Sequence, residues 1–261
     1  MKLEVISREP EERKFKTPLL FVHGTGHGAW CWDENFLPYF AGKGFSSHAI
    51  SLRGHGKSEG HEKLKWTRVS DYVADVFQIA SLLPEMPVVI GHSLGGLVVE
   101  KYLEKHYAPA GILVAPSPSE GMFWSGLPLQ FQHPLLFLKV ALKQDYAVMF
   151  STPKLAKKFL FSEGADDEKI AEYVRRFGRE SYLANLEMIY NLPNPQLIKT
   201  ALLVLGAEND ALIAPRKIEK TARAFNADCK IFPNTAHDLM LERDWQTVAD
   251  FMIEWLEKKI R

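Results

Sequence analysis

The chain has little cysteine, no surplus of charge and no long apolar run, and each lack closes off a class. Two cysteines, Cys31 and Cys229, stand in 261 residues without CxxC spacing, too few for a disulfide framework or a thiolate cluster. Both read as buried or half-buried thiols, and the compartment expected is cytoplasmic. Lys and Arg number 32 and Asp and Glu number 32, a formal net charge of zero. No overall field therefore draws in nucleic acid or an anionic membrane. No run approaches the roughly eighteen apolar residues of a transmembrane helix, so no integral membrane association is expected. The opening MKLEVISREPEER carries acids early and lacks an apolar core, unlike a signal peptide. No internal repeat or low-complexity tract is present. The length suits one domain, with room for an inserted subdomain.

What is there is an alternation of short apolar strands and amphipathic helices. Strands are expected at Leu3–Ser7, Leu19–His23, Ser46–Leu52, Val88–Ile90, Ala110–Ala115, Ala201–Gly206 and Lys230–Phe232. Helices are expected at Val69–Leu83, Leu97–His106, from Pro215 onward, and at Asp244–Ile260. The last places Trp245, Val248, Phe251, Met252, Trp255 and Leu256 on one face. Such alternation implies a mainly parallel sheet covered on both sides. Between about Pro118 and Pro195 the strands stop. Helical segments near 134–144, 153–161, 166–177 and 180–190 take their place, separated by proline-rich breaks. The expected organisation is a core of residues 1–117 and 196–261, with 118–195 an inserted helical cap.

Residues 88–96 read Val-Val-Ile-Gly-His-Ser-Leu-Gly-Gly. A serine between glycines at a strand-to-helix junction is forced into a strained turn, and only glycine-sized neighbours leave room for it. Its hydroxyl then stands above a helix N-terminus and its free N–H groups. Ser93 is thus a candidate nucleophile, and a serine needs a base and an orienting acid. Of nine histidines, His237 lies in a loop between the last strand and the last helix, where catalytic groups of parallel sheets gather. The preceding strand is followed by Ala207-Glu208-Asn209-Asp210, a loop that offers two acids. A developing oxyanion would take the backbone N–H of Leu94. A second donor is expected from His23-Gly24-Thr25-Gly26-His27-Gly28, with Thr25 the choice. No HExxH or Cys/His cluster exists, so neither metal nor cofactor is expected.

Taken in chain order, His23-Gly24, Arg53-Gly54-His55-Gly56-Lys57-Ser58, Gly91-His92-Ser93-Leu94-Gly95-Gly96, the acid loop and Ala236-His237-Asp238 resemble the α/β-hydrolase fold superfamily, in its serine carboxylesterase and lipase-like form. The resemblance covers roughly residues 17–118 and 196–260. It implies an α/β fold with a mainly parallel central sheet, and it favours Asp210 as the acid, because Ile213-Ala214-Pro215 follows it. Gly28-Ala29-Trp30-Cys31-Trp32 is similar to the plant methylesterase and hydroxynitrile lyase branch. Lyases of that branch carry Thr where this chain has Gly24, and Lys where it has Asp238. An acid there cannot stabilise a departing cyanide, so ester hydrolysis is the activity implied.

The substrate expected is a small-molecule carboxylic ester with a short-to-medium acyl or other apolar group, bound by a pocket that includes Phe123, Trp124, Leu127 and Phe131. Monoacylglycerol, thioester and lactone hydrolysis use the same triad and stand as alternatives. A non-catalytic binding protein on this fold is an alternative of another class. So is a dinucleotide site on Gly24-Thr25-Gly26-His27-Gly28-Ala29 with Arg53 on a 2′-phosphate, a reading that leaves the Ser93, Asp210, His237 order unexplained. A monomer or homodimer is expected.

Overall fold

A computed structural model describes residues 1–260. Seven strands form one sheet: β1 Glu4–Arg8, β2 Leu19–Val22, β3 Ser47–Ser51, β4 Val88–His92, β5 Gly111–Val114, β6 Leu202–Ala207 and β7 Asp228–Phe232. Their order is β1-β3-β2-β4-β5-β6-β7, with β1 antiparallel to β3 and every other pair parallel. The helices are α1 Trp30–Asp33, α2 Phe36–Gly42, α3 Val69–Ala80, α4 Leu94–Leu103, α5 Phe123–Gln132, α6 Pro134–Lys143, α7 Pro153–Leu160, α8 Asp167–Arg176, α9 Tyr182–Tyr190, α10 Pro215–Phe225 and α11 Trp245–Lys259.

The central strands are apolar at consecutive positions because both faces of the sheet are covered. Leu19 and Phe21 of β2, Ile90 of β4 and Leu203 and Leu205 of β6 pack with Trp32, Phe36, Phe40, Val248, Met252 and Leu256, so α1, α2 and α11 lie on one face. Leu20, Val22, Val89, Leu113 and Val204 turn the other way and meet Val73 and Val76 of α3, Leu97 of α4 and Ile218 of α10. The six-residue apolar set expected for α11 has Val248, Met252, Trp255 and Leu256 buried, with Trp245 and Phe251 half-buried against the same cluster.

From Phe123 to Leu197, between β5 and β6, all regular structure is helical. Thr152 and Ser181 cap α7 and α9 through their hydroxyls, and Asp166 caps α8 with its carboxylate. α5 lies before the first helical segment expected in the insertion, near 134–144; it carries Gly126 and an internal Pro128 and buries none of its residues. Cys31 is buried as expected. Cys229 is exposed instead, because it lies on the edge strand β7, whose first three residues face solvent.

Candidate active site

Ser93 joins β4 to α4 at φ 52° and ψ −115°, a backbone conformation that costs about 1–3 kcal/mol elsewhere. Two close approaches hold it. A Cβ at Gly91 would meet the Gly95 carbonyl oxygen at 2.2 Å, and one at Gly95 would meet the His23 carbonyl oxygen at 2.4 Å. The glycines let α4 press onto its own strand and onto the loop after β2. Ser93 N–H donates to the Val114 carbonyl (3.0 Å), which pins the turn to β5. Leu94 is the first residue of α4, so no preceding turn offers its N–H an acceptor.

The loop after β2 is fixed by its histidines. His23 Nε2 accepts from the Leu52 N–H (3.1 Å), so Nδ1 carries the hydrogen and donates to the Gly24 carbonyl (2.9 Å). Burial holds this ring neutral, with its pKa down at about 3. The His27 N–H donates to the same carbonyl (3.2 Å). In a trans peptide the N–H opposes the C=O, so the Thr25 N–H points away from both histidines, and Thr25 lines the cavity above Ser93.

His237 and Ser93 line that same cavity. His237 Nδ1–H donates to Asp210 Oδ2 at 2.8 Å, which leaves Nε2 as the basic nitrogen. Burial works against the imidazolium, but the Asp210 charge and hydrogen bond outweigh it and raise the His237 pKa above its ordinary value. The second oxygen of Asp210 accepts from the Leu212 and Ile213 N–H groups (2.8 and 2.9 Å), a turn that fixes the carboxylate. Glu208, the other acid of the loop, is exposed and accepts from the Asn234 N–H instead.

Asp238 does not face the cavity. It is fully buried, accepts from His27 Nε2–H (3.0 Å) and lies 3.6 Å from His92 Nε2. Burial opposes its charge, but His27 more than compensates and lowers its pKa. His92 donates from Nε2 to the His237 carbonyl (3.1 Å), and burial brings its pKa down to about 3, so it holds the loop as a neutral ring. His92, His237 and Asp238 are the described residues that come closest to a metal-ligand group, with ligand atoms within 4.8 Å of one another. Each already carries one of the bonds just given. Glu242, which no sequence motif marks, braces the His237 loop by accepting from the Ala236 and Ser162 N–H groups (3.1 and 2.6 Å).

The cavity measures about 130 Å³, and among the described residues no Asp, Glu, Lys or Arg lines it. Its walls are Met122, Phe123, Leu127, Leu129, Phe137, Met149, Phe150, Met188 and Ile213, with Thr25, Gln130, Tyr146 and Asn185 as polar points. Of the four pocket residues expected, Phe123 and Leu127 line it. Trp124 and Phe131 do not; they are 65% and 79% exposed. Phe123 and Leu127 are one helical turn apart on α5, whereas Trp124 and Phe131, a heptad apart, share the outer face. The dinucleotide reading of the glycine loop meets two obstacles. The helix that follows, α1, has four residues, and the Arg53 guanidinium is taken by Asp75 and Asp71.

A model of the alpha/beta hydrolase family matches residues 19–251. A non-heme chloroperoxidase of Burkholderia pyrrocinia is 35% identical over 99 residues, 36% of this chain and 33% of that protein. Methylesterase 2 of Arabidopsis thaliana is 31% identical over 96 residues, 36% of each chain. The matched stretch thus spans about a third of the length of these curated relatives. Among solved structures, a monoacylglycerol lipase of Paleococcus ferrophilus superposes with a TM-score of 0.68 at 20% identity, over 98% of both chains.

Proposed function

The chain belongs to the alpha/beta hydrolase family, and we propose that it is a serine esterase that cleaves uncharged carboxylic esters through an acyl-enzyme. The observation that carries this reading is the 2.8 Å bond between Asp210 and His237, set on a mainly apolar cavity that Ser93 also lines. His237 Nε2 takes the Ser93 proton as Oγ attacks the ester carbonyl. The Leu94 and Thr25 N–H groups receive the oxyanion. His237 returns the proton to the leaving alkoxide, and water then repeats the cycle on the acyl-serine. Asp210 holds the ring and balances its charge. Residues 118–195 serve as the cap that roofs this chemistry and keeps water out.

The absence of charged walls favours uncharged substrates, and the volume sets their size. It is close to the roughly 150 Å³ apolar cavity that holds a benzene ring, enough for a short-to-medium acyl chain or one aromatic ring. Each methylene buried contributes about 0.8 kcal/mol, or about fourfold in kcat/KM. A series of p-nitrophenyl esters of rising acyl length should therefore climb by about that factor per carbon and then fall once the cavity is full. A flat series, or one in which only acetate reacts, would contradict an acyl site here.

A further inference from the structure

Among the buried ionic groups that the mechanism does not use, one joins the helical insertion to the loop after β2. Glu180, just before α9, is 2% exposed and reaches from the helical insertion into the sheet domain. Its Oε1 accepts from the Tyr72 hydroxyl (2.7 Å) and the Ser181 N–H (2.6 Å). Its Oε2 accepts from the Gly26 N–H (3.1 Å) and lies 3.2 Å from His55 Nε2, an ion pair with both side chains fully buried. Burial opposes the carboxylate's charge. His55 opposite, with the bonds from Tyr72 and Ser181, overcomes it and holds the Glu180 pKa at about 2.

From this geometry we infer that Glu180 is a positioning residue for the oxyanion loop, coupling the helical insertion to the direction of the Thr25 N–H. The inference rests on the esterase reading. The peptide between Thr25 and Gly26 is held at both ends, its N–H by Glu180 and its carbonyl by His27 Nδ1 (2.9 Å). The preceding peptide is held at the Gly24 carbonyl by His23 and His27. The Thr25 N–H lies in the preceding plane, and the plane that Glu180 holds, hinged to it at the Thr25 Cα, keeps it from swinging. Gly26 needs this hold, because it sits at φ +72°, a conformation that restrains the chain least when the residue is glycine. The insertion adds a second grip beside the first: the Gly178 N–H donates to the Gly26 carbonyl at 2.8 Å.

An N–H aimed at the oxyanion acts in the transition state and hardly at all on bound ester, so its loss falls on kcat. Glu180→Gln tests this, since an amide presents one oxygen where the carboxylate presents two oxygens to three hydrogen-bond donors and the His55 ring. Removing an oxyanion donor outright costs about 10²–10³ in kcat; misaiming one should cost about tenfold, with KM within about twofold of wild type. An arylboronic acid, which forms a tetrahedral anionic adduct on the serine, should lose affinity by the same factor. Should Glu180→Gln fail to fold, Tyr72→Phe keeps the carboxylate but removes one bond that orients it, and the same split should appear at about threefold. Unchanged kcat and boronate affinity in a folded variant would overturn the role of Glu180, as would a rise in KM alone. Failure of the esterase reading would look different: the wild type itself would not hydrolyse esters, or Ser93→Ala would still do so.

Discussion

At the residue scale the assignment of roles turns on which acid touches His237. The sequence offered Glu208 and Asp210 side by side, and resemblance alone favoured the second. The structure puts Asp210 at 2.8 Å from Nδ1 and Glu208 on the Asn234 amide. Asp210→Asn should leave the fold intact and lower turnover strongly, because the imidazole loses the partner that fixes its tautomer. Glu208→Gln should change turnover little; a larger loss there than in Asp210→Asn would reverse the assignment. The pH profile carries the same information. A base acts only when neutral, and Asp210 raises the His237 pKa, so protonated His237 persists to higher pH. The activity of the wild type should therefore rise on a limb above the ordinary histidine value of about 6.5. Removing the Asp210 charge should move that limb down. A wild-type maximum near about pH 4–5, well below the histidine reference value, would contradict a histidine base.

At the scale of elements, legibility followed periodicity. β2, β4 and β6 are plain as short apolar runs, and the last helix, expected at Asp244–Ile260 and found at Trp245–Lys259, by its regular apolar stripe. α5 is not, because Gly126 and Pro128 break the expected pattern and apolar residues occupy both of its faces. That double-sided composition makes all four of Phe123, Trp124, Leu127 and Phe131 look like pocket residues in the sequence, whereas helical geometry sends Trp124 and Phe131 outward. The difference is testable within one helix. Leu127→Trp should fill the cavity and move the preferred ester to a shorter acyl chain. Phe131→Ala should leave chain-length preference as it was. Equal effects of the two substitutions would mean that α5 does not wall the site.

At the scale of the molecule, the parallel sheet is what brings distant segments together. Ser93 follows β4, Asp210 follows β6 and His237 follows β7, so three residues spread over 145 positions meet at one edge. The order of motifs along the chain carried this much, because each strand end delivers its loop to the same side. Contacts such as Glu180 with Gly26, His55 and Tyr72 were invisible, since they join segments by burial and hydrogen bonding with no local pattern to mark them. The same holds for Glu242 beneath the His237 loop. The proposed mechanism rests on one oxygen atom, Ser93 Oγ, as the nucleophile. The direct measurement is to treat the folded protein with a fluorophosphonate, digest it and locate the adduct by mass spectrometry. One adduct, on the peptide containing Ser93, is expected, with none in Ser93→Ala and ester hydrolysis in that variant lower by several orders of magnitude. An adduct on another serine, or hydrolysis near the wild-type rate in Ser93→Ala, would contradict it.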